Sequence, residues 1–212
     1  MTTVLTTAIL VLFAYLLGSI PSAVWIGRTF HGVEVREHGS RNAGATNTLR
    51  VLGRRAALTV FAMDFLKGFA AVMLYHLADA GMGETALSNL KIILITAAVI
   101  GHIFPVFASF RGGKGVATTA GAVMGIFPAA VLICLGIFLI VLLATHYVSL
   151  GSVTAGICFP FLDIILFNER SMPLMIFSIV VAIVFVIMHR KNLKRIIKGE
   201  ESKIYLLKKR EI

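Results

Sequence analysis

Residues 172–188 read MPLMIFSIVVAIVFVIM, an apolar run without a charged side chain, and HRKN follows at 189–192. A run of this length can cross a bilayer as a helix, which needs roughly 17 to 25 residues. Similar apolar runs occupy 4–26, 56–78, 90–109, 129–145 and 148–167. The chain of 212 residues is 58% hydrophobic and 14% charged, whereas soluble domains are about 25% charged. These features predict an all-α integral membrane protein and exclude an ordinary soluble domain.

The positions of the basic residues predict the topology. Segments 28–55, 111–118 and 189–212 together hold 17 of the 20 Lys and Arg residues. The positive-inside rule predicts that all three segments are cytoplasmic and that the N-terminus lies outside. This orientation requires an even number of crossings between residues 115 and 189. We therefore expect a single domain over 1–212, a polytopic helical bundle with seven crossings if the short apolar piece 116–127 also crosses; five crossings are the alternative.

Charge and cysteine content argue against several other classes of protein. The net charge of +10 is explained by membrane orientation and attraction to anionic lipid, so we expect no nucleic-acid partner. Cys134 and Cys158 lie in apolar runs without neighbouring metal-ligand residues. We expect both to pack as small apolar side chains, with no disulfide and no structural metal.

The first polar segment, GSRNAGATNTLR at 39–50, lies between two membrane-length apolar runs. Gly39 and Gly44 allow backbone N–H groups to turn toward a ligand, and Arg50 offers a permanently charged, bidentate group. Neutral hydrogen-bond donors are added by Ser40, Asn42, Thr46 and Asn47. This set suits a phosphate monoester. The alternative is a turn shaped by Asn, Ser and Gly, with an arginine that binds lipid headgroups.

The second polar segment is RGGKG at 111–115, followed by helix-forming apolar sequence. Gly112, Gly113, Lys114 and Gly115 would place backbone amides and an ammonium at a helix N-terminus, which favours an anion. A Walker A loop is excluded, because Ala108 and Gly115 stand where that motif requires Gly and Ser or Thr. The alternative is a tight turn whose charges set the topology.

A third group of polar residues follows the last apolar run. His189 and Asn192 are three residues apart, so they share one face of a continued helix. Histidine can transfer a proton near neutral pH and asparagine can orient an oxygen, although a polar helix end is the alternative. Residues 193–198 have the alternation of an interfacial helix.

Polar residues also occur inside the apolar runs. Asp64 and Lys67 form an i, i+3 pair of opposite charges, which marks either a site or a mutually neutralising pair. For His102 we expect structural hydrogen bonding.

Taken together, five segments resemble the bacterial acyl-phosphate:glycerol-3-phosphate acyltransferase family. They are GSIPS at 18–22, GSRNAGATNTLR at 39–50, Asp64-x-x-Lys67-Gly68, GHIFPVFASFRGGKGVAT at 101–118 and HRKNLKRIIKGEESK at 189–203. The resemblance extends nearly end to end, in the family's order and spacing. It departs from the family pattern at Arg111, where Lys is common, and at Leu193, where Ile is common.

The resemblance implies a multi-pass enzyme of the bacterial inner membrane, whose active site faces the cytoplasm. It would transfer a fatty acyl group from acyl phosphate to the 1-hydroxyl of glycerol 3-phosphate, the first committed acylation in phospholipid synthesis. The products would be lysophosphatidic acid and phosphate. Its partners would be these substrates and membrane lipids, with a functional link to the enzyme that makes acyl phosphate. No cofactor is implied.

Site residues carry over from the resemblance as expectations. The expected catalytic residues are Ser40, Arg50, Lys114, His189 and Asn192. The residues expected to bind substrate phosphate are Gly39, Asn42, Gly44, Thr46, Asn47, Arg50, Gly112, Gly113, Lys114 and Gly115. Glu200 matches a position that we expect to be structural.

The chemistry of an acyl phosphate is consistent with these residues. The donor is already activated, so the enzyme needs two anion sites and alignment of the hydroxyl on the carbonyl, with neither a metal nor a covalent acyl-enzyme. The proton acceptor is either His189 or a substrate phosphate. The competing hypothesis is a transporter of a phosphorylated metabolite, with Asp64, Lys67 and the helix break at Pro128 along its path. Transporter sites usually lie at the membrane midplane, which makes this hypothesis the weaker one.

Overall fold

The computed structural model describes residues 2–78 and 81–205, and within these ranges it contains helices and no β-strand. The all-α prediction is therefore confirmed. The α-helices are α1 (Thr2–Gly18), α2 (Ser22–His31), α3 (Ala45–Leu52), α4 (Arg54–Met73), α5 (Glu84–Ile103), α6 (Val116–Met124), α7 (Pro128–Thr145), α8 (Val148–Phe161) and α9 (Met172–Ile197). Short 3-10 turns lie at Val35–Glu37, Leu74–Leu77 and Val106–Ala108, and a π turn at Leu162–Leu166.

Five helical segments of the described chain are long and apolar enough to cross a membrane. They are Arg54–Leu77, Glu84–Ala108, Pro128–Thr145, Val148–Leu166 and Met172–Ile197, and they correspond to five of the predicted apolar runs. The first predicted run is instead divided between α1 and α2, which meet at an angle of 41°. The number of spans becomes six if this bent pair is one span.

The expected count of seven crossings is not confirmed. It requires the piece 116–127 to cross the membrane, and α6 there has only nine residues. Nine residues give about 13 Å of helix, against a hydrocarbon core of about 30 Å. The predicted positions of the termini stay predictions, and Lys208, Lys209 and Arg210 of the basic tail lie outside the described residues.

The chain divides into two compact units, residues 1–128 and 129–212. In the first unit, α1 packs on α5 and α4 packs on α6. Glycine makes both contacts possible, because a Cβ at Gly18 would collide with the Ala98 carbonyl and one at Gly121 with the Phe65 carbonyl. Buried Leu10, Leu90 and Leu94, with small alanines, fill the α1–α5 side. Close helix packing thus fixes the frame from which the two glycine loops of this unit project.

In the second unit, α8 packs on α9 and the C-terminal segment folds back on the α7–α8 turn. The Ile204 amide donates to the His146 carbonyl at 2.8 Å, and the His146 and Tyr205 rings lie 4.3 Å apart. Pro160 lies within α8, just before the π turn. Cys134 and Cys158 have free thiols. The fold-back of residues 199–205 shapes the end of α9, where the third predicted group of site residues lies.

Candidate active site

The first glycine loop is shaped by Asn47, which is buried on α3. Its Oδ1 accepts a hydrogen bond from the Ser40 amide at 2.8 Å. Its Nδ2 donates to the carbonyls of Val35 at 2.7 Å and His38 at 3.1 Å. Because both amide hydrogens are engaged within the protein, the predicted direct contact between Asn47 and phosphate would require one of these bonds to break. The geometry instead makes Asn47 the residue that holds the loop against α3.

Thr46 and Arg50 lie one turn apart on α3, so they share a face of that helix. Both side chains are half-buried, as are those of Ser40 and Asn42. Gly44 precedes the first residue of α3 and has extended backbone dihedrals. Four of the predicted polar side chains of this segment are thus partly accessible, unlike Asn47.

The second glycine loop closes the end of α5. The Gly112 amide donates to the Ile103 carbonyl and the Gly113 amide to the His102 carbonyl, each at 3.1 Å. A Cβ at either position would collide with His102, with its carbonyl in one case and its ring in the other. The sequence indicated amides open to an anion at both positions. The structure shows that these two amides cap a helix and that glycine is required by close backbone approach.

Lys114 and Gly115 lead directly into the N-terminus of α6, as the sequence predicted. Gly115 adopts φ +83°, a left-handed conformation that favours glycine, and its carbonyl accepts from the Thr119 amide at 2.7 Å. The first N–H groups of an α-helix have no partner within the helix. Lys114 is therefore two residues ahead of a helix terminus with anion-binding character.

A buried cluster of charged residues lies beneath the two loops. The Lys67 Nζ and Asp64 Oδ1 atoms are 2.8 Å apart, so the predicted pair forms. Lys67 also donates to the Ile20 carbonyl at 2.7 Å, and Ser22 Oγ donates to Asp64 Oδ1 at 2.9 Å. The pair thereby satisfies polar groups at the break between α1 and α2, which explains why a charged pair is retained inside an apolar helix.

His102 joins this cluster to α6. Its Nδ1 lies 3.0 Å from Thr118 Oγ1 and 3.6 Å from Asp64 Oδ1, so the predicted hydrogen bonding of His102 is confirmed. A cavity of about 10 Å³ adjoins the cluster and is lined by residues that include Ser22, Ala43, Asp64, Lys67, His102 and Gly113. This volume is about that of a single water site. Sequence reasoning missed the connection between this cluster and the glycine loops, although the polar residues within apolar runs were a signal for it.

The third group of site residues belongs to the second unit. His189 and Asn192 are both buried on α9, and His189 Nδ1 lies 2.8 Å from the Phe185 carbonyl oxygen. Since a carbonyl can only accept, Nδ1 carries the hydrogen of this bond, and the lone pair of a neutral ring is on Nε2. Asn192 Nδ2 donates to Glu201 Oε1 at 2.7 Å. That the three polar segments meet at one membrane face stays a prediction.

The structural glutamate is Glu201, and the expectation for Glu200 is wrong. Glu201 is buried and also accepts from Arg195 Nε at 2.6 Å and from Ser149 Oγ at 3.3 Å. Glu200 is exposed. The chain turns back at Gly199, whose φ is +72°, and this turn directs the second glutamate of the pair into the protein. In the described part of the chain, no three His, Cys, Asp or Glu side chains are grouped as metal ligands.

Comparison with known proteins identifies the family. The family model described as glycerol-3-phosphate acyltransferase matches residues 8–199. The chain belongs to this family. The glycerol-3-phosphate acyltransferase of Staphylococcus carnosus is 42% identical over 199 residues, which cover 92% of this chain and 96% of the relative. That of Fusobacterium nucleatum is 40% identical over 193 residues, which cover 91% and 95%.

Solved structures of the family agree with this assignment. PlsY, an integral membrane glycerol 3-phosphate acyltransferase, has a crystal structure in a glycerol 3-phosphate form; it matches with a TM-score of 0.82 and 36% identity, over 95% of this chain and 96% of that one. Its lysophosphatidic acid form matches with a TM-score of 0.79 and 35% identity, over the same shares of the two chains. The resemblance inferred from the five motifs is confirmed, and this acyltransferase family member is an integral membrane protein.

Proposed function

We propose that the protein transfers a fatty acyl group from acyl phosphate to the sn-1 hydroxyl of glycerol 3-phosphate. The products are lysophosphatidic acid and inorganic phosphate. The observation that carries this proposal is the similarity, at 36% identity over 95% of the chain, to an acyltransferase solved in a glycerol 3-phosphate form. The lysophosphatidic acid form of that acyltransferase supports the product.

Two cationic segments of the first unit are suited to bind the substrate phosphates. Arg50 lies on the same face of α3 as Thr46, so a guanidinium and a hydroxyl can bind one anion together. Lys114 lies just before α6, where the orphan N–H groups of the first helical turn favour negative charge. Ser40 and Asn42 are partly accessible donors of the first loop. We assign both cations to phosphate binding and neither to covalent chemistry.

In the second unit, His189 and Asn192 are assigned to the attacking hydroxyl. Oxygen of the glycerol hydroxyl forms a bond to the acyl carbonyl carbon, and the bond from that carbon to the phosphate oxygen breaks. The hydroxyl proton passes either to Nε2 of His189 or to a substrate phosphate oxygen. Glu201 holds the Asn192 amide at 2.7 Å, which orients its carbonyl oxygen. Because phosphate is a good leaving group, the proposal includes neither a metal nor an acyl-enzyme.

The proposal places the protein in a bacterial inner membrane with its polar segments toward the cytoplasm. Support comes from the concentration of Lys and Arg in segments 28–55, 111–118 and 189–212, which the positive-inside rule assigns to the cytoplasm. Glycerol 3-phosphate is water-soluble, while the acyl chain partitions into lipid, so a site at a membrane surface suits both substrates. A reaction that makes acyl phosphate must supply the donor.

The donor is tested with purified protein in lipid, radiolabelled glycerol 3-phosphate and a chelator. Palmitoyl phosphate and palmitoyl-CoA are compared as donors, and labelled lysophosphatidate is measured. We expect product from palmitoyl phosphate and not from palmitoyl-CoA, at a rate that the chelator does not change. The reason is that the phosphate of the acyl phosphate serves both as the leaving group and as the group that the enzyme binds.

Other outcomes contradict separate parts of the proposal. Product from palmitoyl-CoA alone would overturn the donor, and inhibition by the chelator would overturn metal independence. Absence of product from both donors would overturn acyl transfer. Uptake of labelled glycerol 3-phosphate by liposomes containing the protein would then favour the transporter hypothesis.

A further inference from the structure

Arg36 is a partly buried arginine that lies outside every motif assigned above. Its Nε and Nη2 donate to the two carboxylate oxygens of Glu34, at 2.8 and 3.0 Å. Its Nη1 donates to two backbone carbonyls of the second loop region, Ala108 at 2.9 Å and Arg111 at 3.1 Å. Only 13% of the Arg36 side chain is exposed. One guanidinium therefore connects residue 34 to the segment that leads into Lys114.

The carbonyls that Arg36 contacts lie on either side of a tight bend. Ser109 and Phe110, between them, have φ of 54° and 57°, a conformation that is uncommon for residues other than glycine. The Arg111 amide already donates to the Ala108 carbonyl across this bend, at 3.2 Å. Arg36 adds a side-chain donor to the carbonyl at each end of the bend. The loop that begins at Arg111 is thus anchored by a side chain from another part of the chain.

The Arg36 end of this connection is itself fastened to α3. Asn47 of α3 donates to the carbonyls of Val35 and His38 and accepts from the Ser40 amide. Arg50 lies on the same helix, one turn further on. The hydrogen bond from Asn47 to Val35, and those that the next residue, Arg36, makes to the second loop region, therefore connect the helix that carries Arg50 with the loop that carries Lys114.

The contact depends on the shape of the guanidinium as well as on its charge. Arg36 uses Nε, Nη1 and Nη2 at once, and its bond to Glu34 is bidentate. Lysine, with a single ammonium on a flexible chain, cannot reproduce this planar arrangement. Glu34 is fixed from a second side by Arg28, whose Nη2 lies 2.8 Å from Glu34 Oε2.

We infer that Arg36 is a positioning residue that sets the location of the Lys114 loop relative to Arg50. The inference rests on the proposed function, in which these two cations bind the substrate phosphates. A displacement of about 1 Å between groups that bind reacting substrates can lower the rate by about a hundredfold. Arg36 acts through the loop backbone and touches no substrate.

Two measurements test this role in the full-length protein in detergent. The first is hydrogen exchange of the backbone amides in 108–113, which requires no substrate. The variants are Arg36→Ala, Arg36→Lys and the control Arg55→Ala, which removes an exposed arginine at the start of α4. We expect exchange in 108–113 to be about tenfold faster in both Arg36 variants and unchanged in the control. In wild type the loop can open only by breaking the hydrogen bonds from Arg36, and the variants lack all or some of these bonds.

The second measurement is the dependence of acyl transfer on substrate concentration. Loss of loop position should raise KM for a phosphate-bearing substrate about tenfold or more, with the unfolding temperature within a few degrees of wild type. A purely structural role predicts less folded protein with an unchanged KM. If Arg36→Ala does not fold, the result for Arg36→Lys is used instead, because lysine keeps the positive charge but lacks the planar guanidinium.

The outcomes separate this inference from the proposed function. The positioning role would be overturned if both Arg36 variants had the same exchange rate in 108–113 and the same KM as wild type. If the wild-type protein shows no acyl transfer, the proposed function fails, and the exchange experiment alone decides whether Arg36 anchors the loop. The role would also be overturned if exchange in 108–113 were faster in Arg36→Lys while its rate of acyl transfer and its KM stayed at the wild-type values.

Discussion

At the scale of single residues, two buried asparagines illustrate what the sequence could and could not indicate. The motifs predict both Asn47 and Asn192 as site residues, and both are buried. The direction of their amides was not predictable, because it depends on partners distant in the chain. Asn47 directs both amide hydrogens at loop carbonyls, and Asn192 directs one at Glu201. The residue type indicated that each side chain would form hydrogen bonds, and only the fold showed which groups are its partners.

Glu34 provides a test of electrostatics at the residue scale. Hydrogen bonds from the Arg36 side chain lower the pKa of Glu34 from 4.5 to about 2, and the Arg36 backbone amide and the charge of Arg28 act in the same direction against partial desolvation. A lowered pKa means that the ionised form is stabilised by folding. The contribution to stability is complete above the ordinary pKa and is lost as the pH falls toward about 2.

We expect Glu34→Gln to lower the free energy of unfolding by about 1 to 2 kcal/mol at pH 7. The difference from wild type should narrow as the pH falls from 4.5 to about 2, because over this range the unfolded wild-type protein binds a proton at Glu34 that the folded protein does not. Unfolding in detergent at several pH values measures this difference. Glu37→Gln, at an exposed position of the same turn, is the control. A difference for Glu34→Gln that does not vary with pH would contradict this account.

At the scale of elements, the close contact between α4 and α6 depends on glycine. A Cβ at Gly68 of α4 would collide with the Thr118 carbonyl, and one at Gly121 of α6 would collide with the Phe65 carbonyl. Backbone atoms cannot rotate away as a side chain can, so the helices would have to separate. This contact positions Thr118, the partner of His102, and hence connects helix packing with the buried cluster beneath the loops.

We expect Gly121→Ala to lower the unfolding temperature by about 3 to 10 °C, the effect of overpacking by 1 to 3 kcal/mol in a chain of this size. Gly136→Ala is the matched control, because a Cβ at Gly136 in α7 meets no atom within 4 Å. That substitution should leave the unfolding temperature unchanged or raise it, since alanine has the higher helix propensity. Equal effects of the two substitutions would show that the α4–α6 contact is looser than described.

Helix positions were largely predictable, and helix breaks were not. Apolar length located five spans, because a bilayer requires about 20 apolar residues. The break at 19–21 was hidden within a continuous apolar run, although Gly18 and Pro21 were present. The break is stabilised by a hydrogen bond of 2.7 Å that the Lys67 ammonium donates to the Ile20 carbonyl, 47 residues earlier in the chain. The local pattern of apolar residues carries no information about a contact between residues so far apart in sequence.

At the scale of the whole molecule, the family and the membrane class could be predicted from the sequence, whereas the supports of the site could not. Five motifs in order indicated the glycerol-3-phosphate acyltransferase family, which the match over residues 8–199 confirms. Glu201, Arg36 and the Asp64–Lys67–His102 cluster act through tertiary contacts, and their roles became visible only in the fold. The sequence did not distinguish the residues expected to bind substrate from the residues that hold them in position, because both kinds are polar.

Arg50, on α3, is the residue proposed to bind a substrate phosphate during acyl transfer. The most direct test is the kcat/KM for lysophosphatidate formation from palmitoyl phosphate and glycerol 3-phosphate. Arg50→Ala is compared with Arg55→Ala, which removes the same charge from an exposed position five residues away. We predict a loss of at least about a hundredfold for Arg50→Ala and of less than about threefold for Arg55→Ala. Retention of wild-type kcat/KM by Arg50→Ala would contradict the account.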